Sequence, residues 1–373
     1  MQKRAALIFA VLIFLIGIGF NLPCPAQQEL KATISSGGTV QPGFQDIKGE
    51  PVIGEGGGLQ IGGIYVLTAG VVIPEVPPGT VKLYISRVSN DIKISWEATK
   101  YGNNPQIFAM IGDGTGKYSN TYDPATWKVI AQGGTLQNPA GFGTFSSYNV
   151  TSGIGSLIHA GQVGGVTGSI AEVYYKGIKE GETVSARLPS AEAVGKVDYL
   201  FEQGNTYFNY PFVSSADVNT VFGTSGIPDL CKILNYQKST DKFSPSTFST
   251  TWLDPFTLEL GKGYVFFNYS TSPINLTLVG AVNKTPDTFS SNISTGNNYL
   301  GLPFPIIKTL SLAFSSNPVG NDGLLIYQKS TDKFAKQACS NAGAFDNPNF
   351  ELIMPTGYVY FRYQGSFDWQ PRP

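Results

Sequence analysis

Charge is scarce in this sequence: Asp, Glu, Lys and Arg make up 14% of its 373 residues, against about 25% in ordinary soluble domains. That excludes long charged helices and highly charged disordered tracts as its main architecture. The charge present nearly cancels, with a formal net of −1, so no basic field exists to attract nucleic acid or an anionic membrane surface. Histidine is almost missing. With His159 alone, neither a multi-histidine metal site nor a nucleophilic triad has its partners at usable spacing. Gly223-Thr224-Ser225-Gly226 runs into Ile227 and breaks the elbow pattern of hydrolases, so His159 is read as structural. After residue 20 there is no apolar run long enough to span a bilayer.

What the sequence does have begins with a leader. Lys3 and Arg4 precede an apolar run from Ala5 to Phe20, which ends in Pro23-Cys24-Pro25-Ala26. This is the pattern of a secretory signal peptide, with cleavage expected after Ala26 and no membrane span remaining. One of the three cysteines leaves with it. Cys231 and Cys339 remain in a chain bound for an oxidising compartment, either as a disulfide or as two buried free thiols.

Glycine is abundant, at 44 residues, and aromatics reach 13%, the composition of short strands joined by tight turns. Residues 27–79 read as a glycine-rich β module closed by the stiff linker Val76-Pro77-Pro78-Gly79. Val81 to Ser86 and Ile92 to Glu97 then alternate with period two about Asn90-Asp91, predicting a hairpin with Ile92, Ile94 and Trp96 inward. Further strands are expected at Gln106 to Ile111, Trp127 to Ala131 and Ile170 to Ile178. The stretch 80–190 resembles a fibronectin type III domain, whose second strand places a core tryptophan in this way; it departs in the glycine-rich middle from Gly133 to Gly168. Gly112-Asp113-Gly114-Thr115-Gly116-Lys117 lacks the spacing of a phosphate loop and reads as a turn. Tyr118, Tyr122 and Trp127 form a candidate aromatic platform for sugar rings, the alternative being core filling. Trp252, Asp254 and Trp369 raise the same question.

The most distinctive feature is a repetition. Tyr236-Gln237-Lys238-Ser239-Thr240-Asp241-Lys242-Phe243 returns unchanged from Tyr327 to Phe334. Gly204-Asn205 with Tyr207 and Pro211-Phe212 return as Gly296-Asn297 with Tyr299 and Pro303-Phe304, and Gly263-Tyr264 as Gly357-Tyr358. At about 90 residues the period is that of a small domain rather than a solenoid unit. Each copy resembles a β-rich repeat of exported bacterial proteins, an accessory module that carries no catalytic residues. Ser-Thr-Asp between two aromatics reads as a hairpin tip with its lysines in solvent. Loops usually diverge fastest, and here the tip is identical while the flanking strands differ. Lys238, Asp241, Lys242, Lys329, Asp332 and Lys333 are therefore candidate binding residues.

The expected fold is all-β, with tandem β-sandwich domains: a leader at 1–26, the glycine-rich module at 27–79, the fibronectin-like domain at 80–190, and repeat copies at 191–277 and 278–373. The expected function is that of a structural or adhesive binding protein, secreted or on the cell surface or in the periplasm, without catalysis, cofactor or metal. Its partner would be a surface or extracellular protein or glycan. The alternatives are an accessory carbohydrate-binding protein and a secreted hydrolase.

Overall fold

The computed structural model describes residues 53–54, 58–61, 65–68, 71–72, 77–114, 117–213, 216–224, 226–283, 289–314 and 318–371, and for 53–72 the backbone alone. The leader and its cleavage point lie outside the described residues, and no described helix is long and apolar enough to cross a membrane. The chain divides into two units, Met1–Glu75 and Val76–Pro373. In the first, β1 (Ile53–Gly54), β2 (Gly58–Ile61), β3 (Tyr65–Thr68) and β4 (Val71–Val72) form an antiparallel meander.

The second unit is nearly all-β. Its first strands are β5 (Thr80–Val81), β6 (Tyr84–Val88), β7 (Asp91–Glu97), β8 (Gln106–Gly112), β9 (Lys128–Gln132) and β10 (Thr135–Leu136). They are followed by β11 (Thr144–Thr151), β12 (Ile154–Ala160), β13 (Glu172–Ile178) and β14 (Ala193–Phe201). The predicted hairpin is present as β6–β7, with Ile92, Ile94 and Trp96 fully buried. The glycine-rich middle, read as a departure from the fibronectin pattern, supplies the paired strands β11 and β12. Gly155 in β12 lies opposite Trp96, and a Cβ there would enter the indole ring. The glycine is what lets the tryptophan lie flat across its neighbour.

The next strands are β15 (Gly204–Asn209), β16 (Ala216–Asp217), β17 (Lys232–Gln237), β18 (Lys242–Ser249), β19 (Thr251–Leu253), β20 (Thr257–Leu258), β21 (Gly263–Asn268) and β22 (Ile274–Ala281). Between them sits one short helix, α1 (Val218–Phe222), whose first turn is capped by the Asp217 carboxylate accepting from the Thr220 N–H at 3.1 Å. Strands β10-β9-β8-β13-β14-β22 form one continuous sheet, with β5 also on β13. Position 190 therefore joins two neighbouring strands of one sheet, and position 277 lies inside β22. The segments Val194-Gly195-Lys196 and Val279-Gly280-Ala281, one near the start of each expected copy, pair with each other.

This central sheet is buried on both faces, and every residue of β13 is buried. One face sends Ile107, Ala109, Val173, Tyr175 and Val194 against Ile92, Ile94, Trp96 and Leu157 of the sheet β11-β12-β7-β6. The other sends Phe108, Met110, Tyr174, Val197 and Leu278 against Phe208, Ile233, Tyr264 and Phe266 of the sheet β15-β21-β17-β18-β19. Two-sided burial removes the polar alternation of a surface strand and binds the sheets on its two faces into one body.

The last strands are β23 (Ser291–Gly301), β24 (Lys308–Thr309), β25 (Gly323–Gln328), β26 (Lys333–Ala338), β27 (Glu351–Leu352) and β28 (Gly357–Trp369), with helix α2 (Leu310–Phe314). The sheet β23-β28-β25-β26 has its own core of Phe314, Leu324, Tyr360 and Trp369.

Candidate functional site

Both octapeptides form hairpin tips with the same register. Tyr236 faces Phe243 and Gln237 faces Lys242 in β17–β18, while Tyr327 faces Phe334 and Gln328 faces Lys333 in β25–β26. Four-residue loops need one left-handed residue, and Asp241 and Asp332 each take φ 52, a conformation Asp tolerates better than most side chains. Each carboxylate accepts the hydroxyl of its own hairpin's tyrosine, Tyr236 or Tyr327, at 2.5 Å. Burial and that acceptor push both phenols up to about 12. The two aspartates are thus internal fasteners of the loop.

The lysines differ within each tip. Instead of standing free in solvent, Lys238 turns onto the second copy, where its Nζ donates to the carbonyls of Asn297 at 2.8 Å and Ser294 at 3.2 Å. Lys329 turns the opposite way, onto the carbonyls of Asn205, at 3.0 Å, and Gln203 of the first copy. The aromatic rings follow the same exchange. Tyr299 packs on Tyr236 and Phe243 at centroid distances of 4.6 and 5.2 Å, and Tyr207 packs on Tyr327 and Phe334 at 4.8 and 5.2 Å.

Each tip therefore clasps the Gly-Asn strand of the other copy. The two landmarks that recur in the sequence, octapeptide and Gly-Asn-x-Tyr, are the two sides of one contact made twice. Backbone bridges Phe208 to Thr356 and Lys262 to Leu300 repeat the symmetry. A Cβ on Gly263 would come within 2.7 Å of the Leu300 carbonyl oxygen, and one on Gly357 within 2.6 Å of that of Phe208. Identity of the tip follows from its task, because each must fit a surface that is also repeated.

What remains outward is Lys242 with Phe243 and Lys333 with Phe334. All four are exposed, the phenylalanines at 38% and 41%. Neither patch contains an acid–base pair, and its chemistry is that of contact: a cation beside an aromatic edge.

The aromatic platform is a correction. Tyr118, Tyr122 and Trp127 face inward: Trp127 is 1% exposed, and the two half-buried tyrosines pack against the core that contains it. The Tyr118 and Trp127 rings meet edge to face at 6.1 Å, with the Lys176 ammonium over both. No sugar ring can stack there without opening the core. Trp252 and Trp369 are buried as well. Cys231 and Cys339 are free and buried in separate cores, and burial pushes both thiols up.

His159 is fully buried between Phe145 and Tyr175. Its Nε2 lies 2.5 Å from the Phe142 carbonyl, which can only accept, so Nε2 carries the proton and Nδ1 accepts from the Tyr175 hydroxyl at 2.6 Å. Burial, helped by the Lys196 charge and opposed by the Phe142 carbonyl, holds the imidazole down at about 4, from 6.5. The unfolded chain therefore takes up this proton first, and stability is lost as pH falls from about 6.5 to about 4. The loss is about 3 kcal/mol for this group at the low end of that window. Urea titrations at neutral pH and near pH 4 should show it as the difference between the native chain and His159→Gln, whose acid sensitivity should be smaller. Equal acid sensitivity would contradict the assignment.

Among the described residues no cluster of three His, Cys, Asp or Glu suits a metal ion. The turn at Asp113 carries an exposed ion pair to Lys117. A scan against models of known families finds no match to the chain, and a search of curated proteins finds no match either.

Proposed function

We propose that the chain is an exported, non-catalytic binding protein of the bacterial envelope or exterior, structural or adhesive in role, which engages a surface protein or glycan through two identical patches. The supporting observation is the reciprocal clasp. It leaves Lys242–Phe243 and Lys333–Phe334 outward and fixes them relative to each other, because each tip is anchored on the copy that carries the other. Two equal, rigidly linked patches gain avidity from geometry without any new contact. The leader supplies the export route.

Charge reversal tests the reading without touching the clasp. Lys242→Glu and Lys333→Glu, singly and together, should leave the melting temperature within error, since both side chains are exposed. On immobilised envelope fragments of the producing cells, each single variant should lose about tenfold in retention and the double about a hundredfold. Retention of the double variant equal to that of the native chain would overturn the proposal.

A further inference from the structure

A cleft of about 480 Å³ opens between β6, the edge of the outer sheet, and β22, with α1 at its end. Its polar wall is Lys82, Ser86, Arg87, Tyr210 and Thr220, and Tyr84 forms an aromatic lip. No acidic residue is among the described residues that line it.

Arg87 is the unusual member. It is half-buried, and its Nη2 donates to the Val221 carbonyl at 2.9 Å, at the last turn of α1. A guanidinium has five N–H donors, so this contact engages one face of the fork. Two other enclosed cations have carboxylates, Lys196 with Asp198 and Arg362 with Asp322, and the buried Lys176 is held by the Leu188 carbonyl, the Asn120 side chain and two aromatic rings. No described carboxylate forms an ion pair with Arg87, and burial, with no acid opposing it, lowers its pKa. At the far end of the same hairpin Glu97 accepts from the Tyr84 hydroxyl at 2.8 Å. A partly desolvated guanidinium without a counter-charge is costly to keep. Capping one helix carbonyl would not require a cleft around the rest of the fork.

The geometry points to a binding site for a small hydroxylated anion, a carboxylate or phosphate carried on a sugar-sized molecule. Arg87 would take the oxyanion in the forked geometry that suits both. Lys82, which lies 5.8 Å from the centre of the Tyr84 ring, would add a second charge, Ser86 and Thr220 would meet hydroxyls, and Tyr84 would cover an apolar sugar face. The volume lies within the range of small-molecule sites. This site is separate from the tip patches and does not depend on them.

Calorimetric titration of the full chain with glucuronate, glucose 6-phosphate and glucose tests it. One or both anions should bind saturably and raise the melting temperature, while glucose should not. Arg87→Gln should weaken the anion by about tenfold or more and Lys82→Gln by less. Lys82→Gln keeps the test valid if Arg87→Gln proves unstable through loss of the helix cap. The double charge-reversal variant at Lys242 and Lys333 should bind the anions as the native chain does, so failure of one proposal is visible apart from failure of the other. Absence of saturable anion binding, equal binding of glucose, or affinity that survives both cleft substitutions would overturn the assignment.

Discussion

Replacing Asp322 by alanine is expected to destabilise the second copy by about 3–5 kcal/mol, the cost of leaving a buried charge without its partner. Asp322 is fully buried on the turn before β25. Its Oδ2 accepts from Arg362 Nη1 at 2.6 Å, from the Tyr360 hydroxyl at 2.8 Å and from the Val319 N–H at 3.0 Å, and its Oδ1 accepts from the Tyr363 N–H at 2.8 Å. One carboxylate thus ties the turn to the middle of β28. Alanine would remove the acceptor for four donors while Arg362, also buried, stayed in place. The charge, rather than the packing, carries most of the effect. Asp322→Asn should recover little, since its amide nitrogen turns donor toward donor, whereas Asp322→Leu with Arg362→Met should recover much of the loss. Urea midpoints of the four chains test this. A loss below about 1 kcal/mol for Asp322→Ala would mean that water replaces the carboxylate.

Nothing in the sequence marked Asp322, because one aspartate in a turn before a strand looks like turn chemistry. Only folding brings Arg362 to it. By contrast, the all-β class, the β6–β7 hairpin and the inward Trp96 were legible, since period-two alternation is a local signal. Alternation failed at β13, where both faces are buried, and so gave no hint that the sheet continues through position 190 into β14 and β22. The glycine-rich middle looked like a departure because glycine weakens strand propensity; Gly155 is there to admit Trp96, which is a long-range reason. Trp127 was legible as an aromatic of consequence with two readings, a platform or core filling, and the sequence left both open because composition does not say which way a ring points. For the octapeptide the sequence showed its repetition and its turn. It did not show that each copy is the other's partner, although that partner, Gly-Asn with a tyrosine, was among the repeated landmarks. An unchanged loop can also be held by a surface inside the same chain, as the contacts of Lys238 and Lys329 show.

That internal contact makes the second large prediction. Gly263→Ala and Gly357→Ala should each cost about 3 kcal/mol, the upper part of the usual range for overpacking. The added methyl would lie 2.7 Å from the Leu300 carbonyl oxygen and 3.0 Å from its nitrogen in the first case, and 2.6 and 2.9 Å from those of Phe208 in the second. Backbone on the far side cannot rotate away as a side chain can, so the two strands must separate. Removing the clasping ammonium groups is a gentler perturbation. Lys238→Met and Lys329→Met keep the apolar stem over the Gly-Asn strand and lose hydrogen bonds at the rim, worth about 1 kcal/mol each. Because both glycine changes open one contact, the double variant should lose less than the sum of the singles. Hydrogen exchange separates this from general damage: amides of 296–301 and 204–209 should exchange faster in either variant, while those of β7 and β12, in the outer sheet, should not. Full additivity, or protection lost equally in the outer sheet, would show that the glycines serve their own sheets and not the clasp. Loss confined to the two Gly-Asn strands would make the clasp the element that turns two copies into one rigid carrier of two patches.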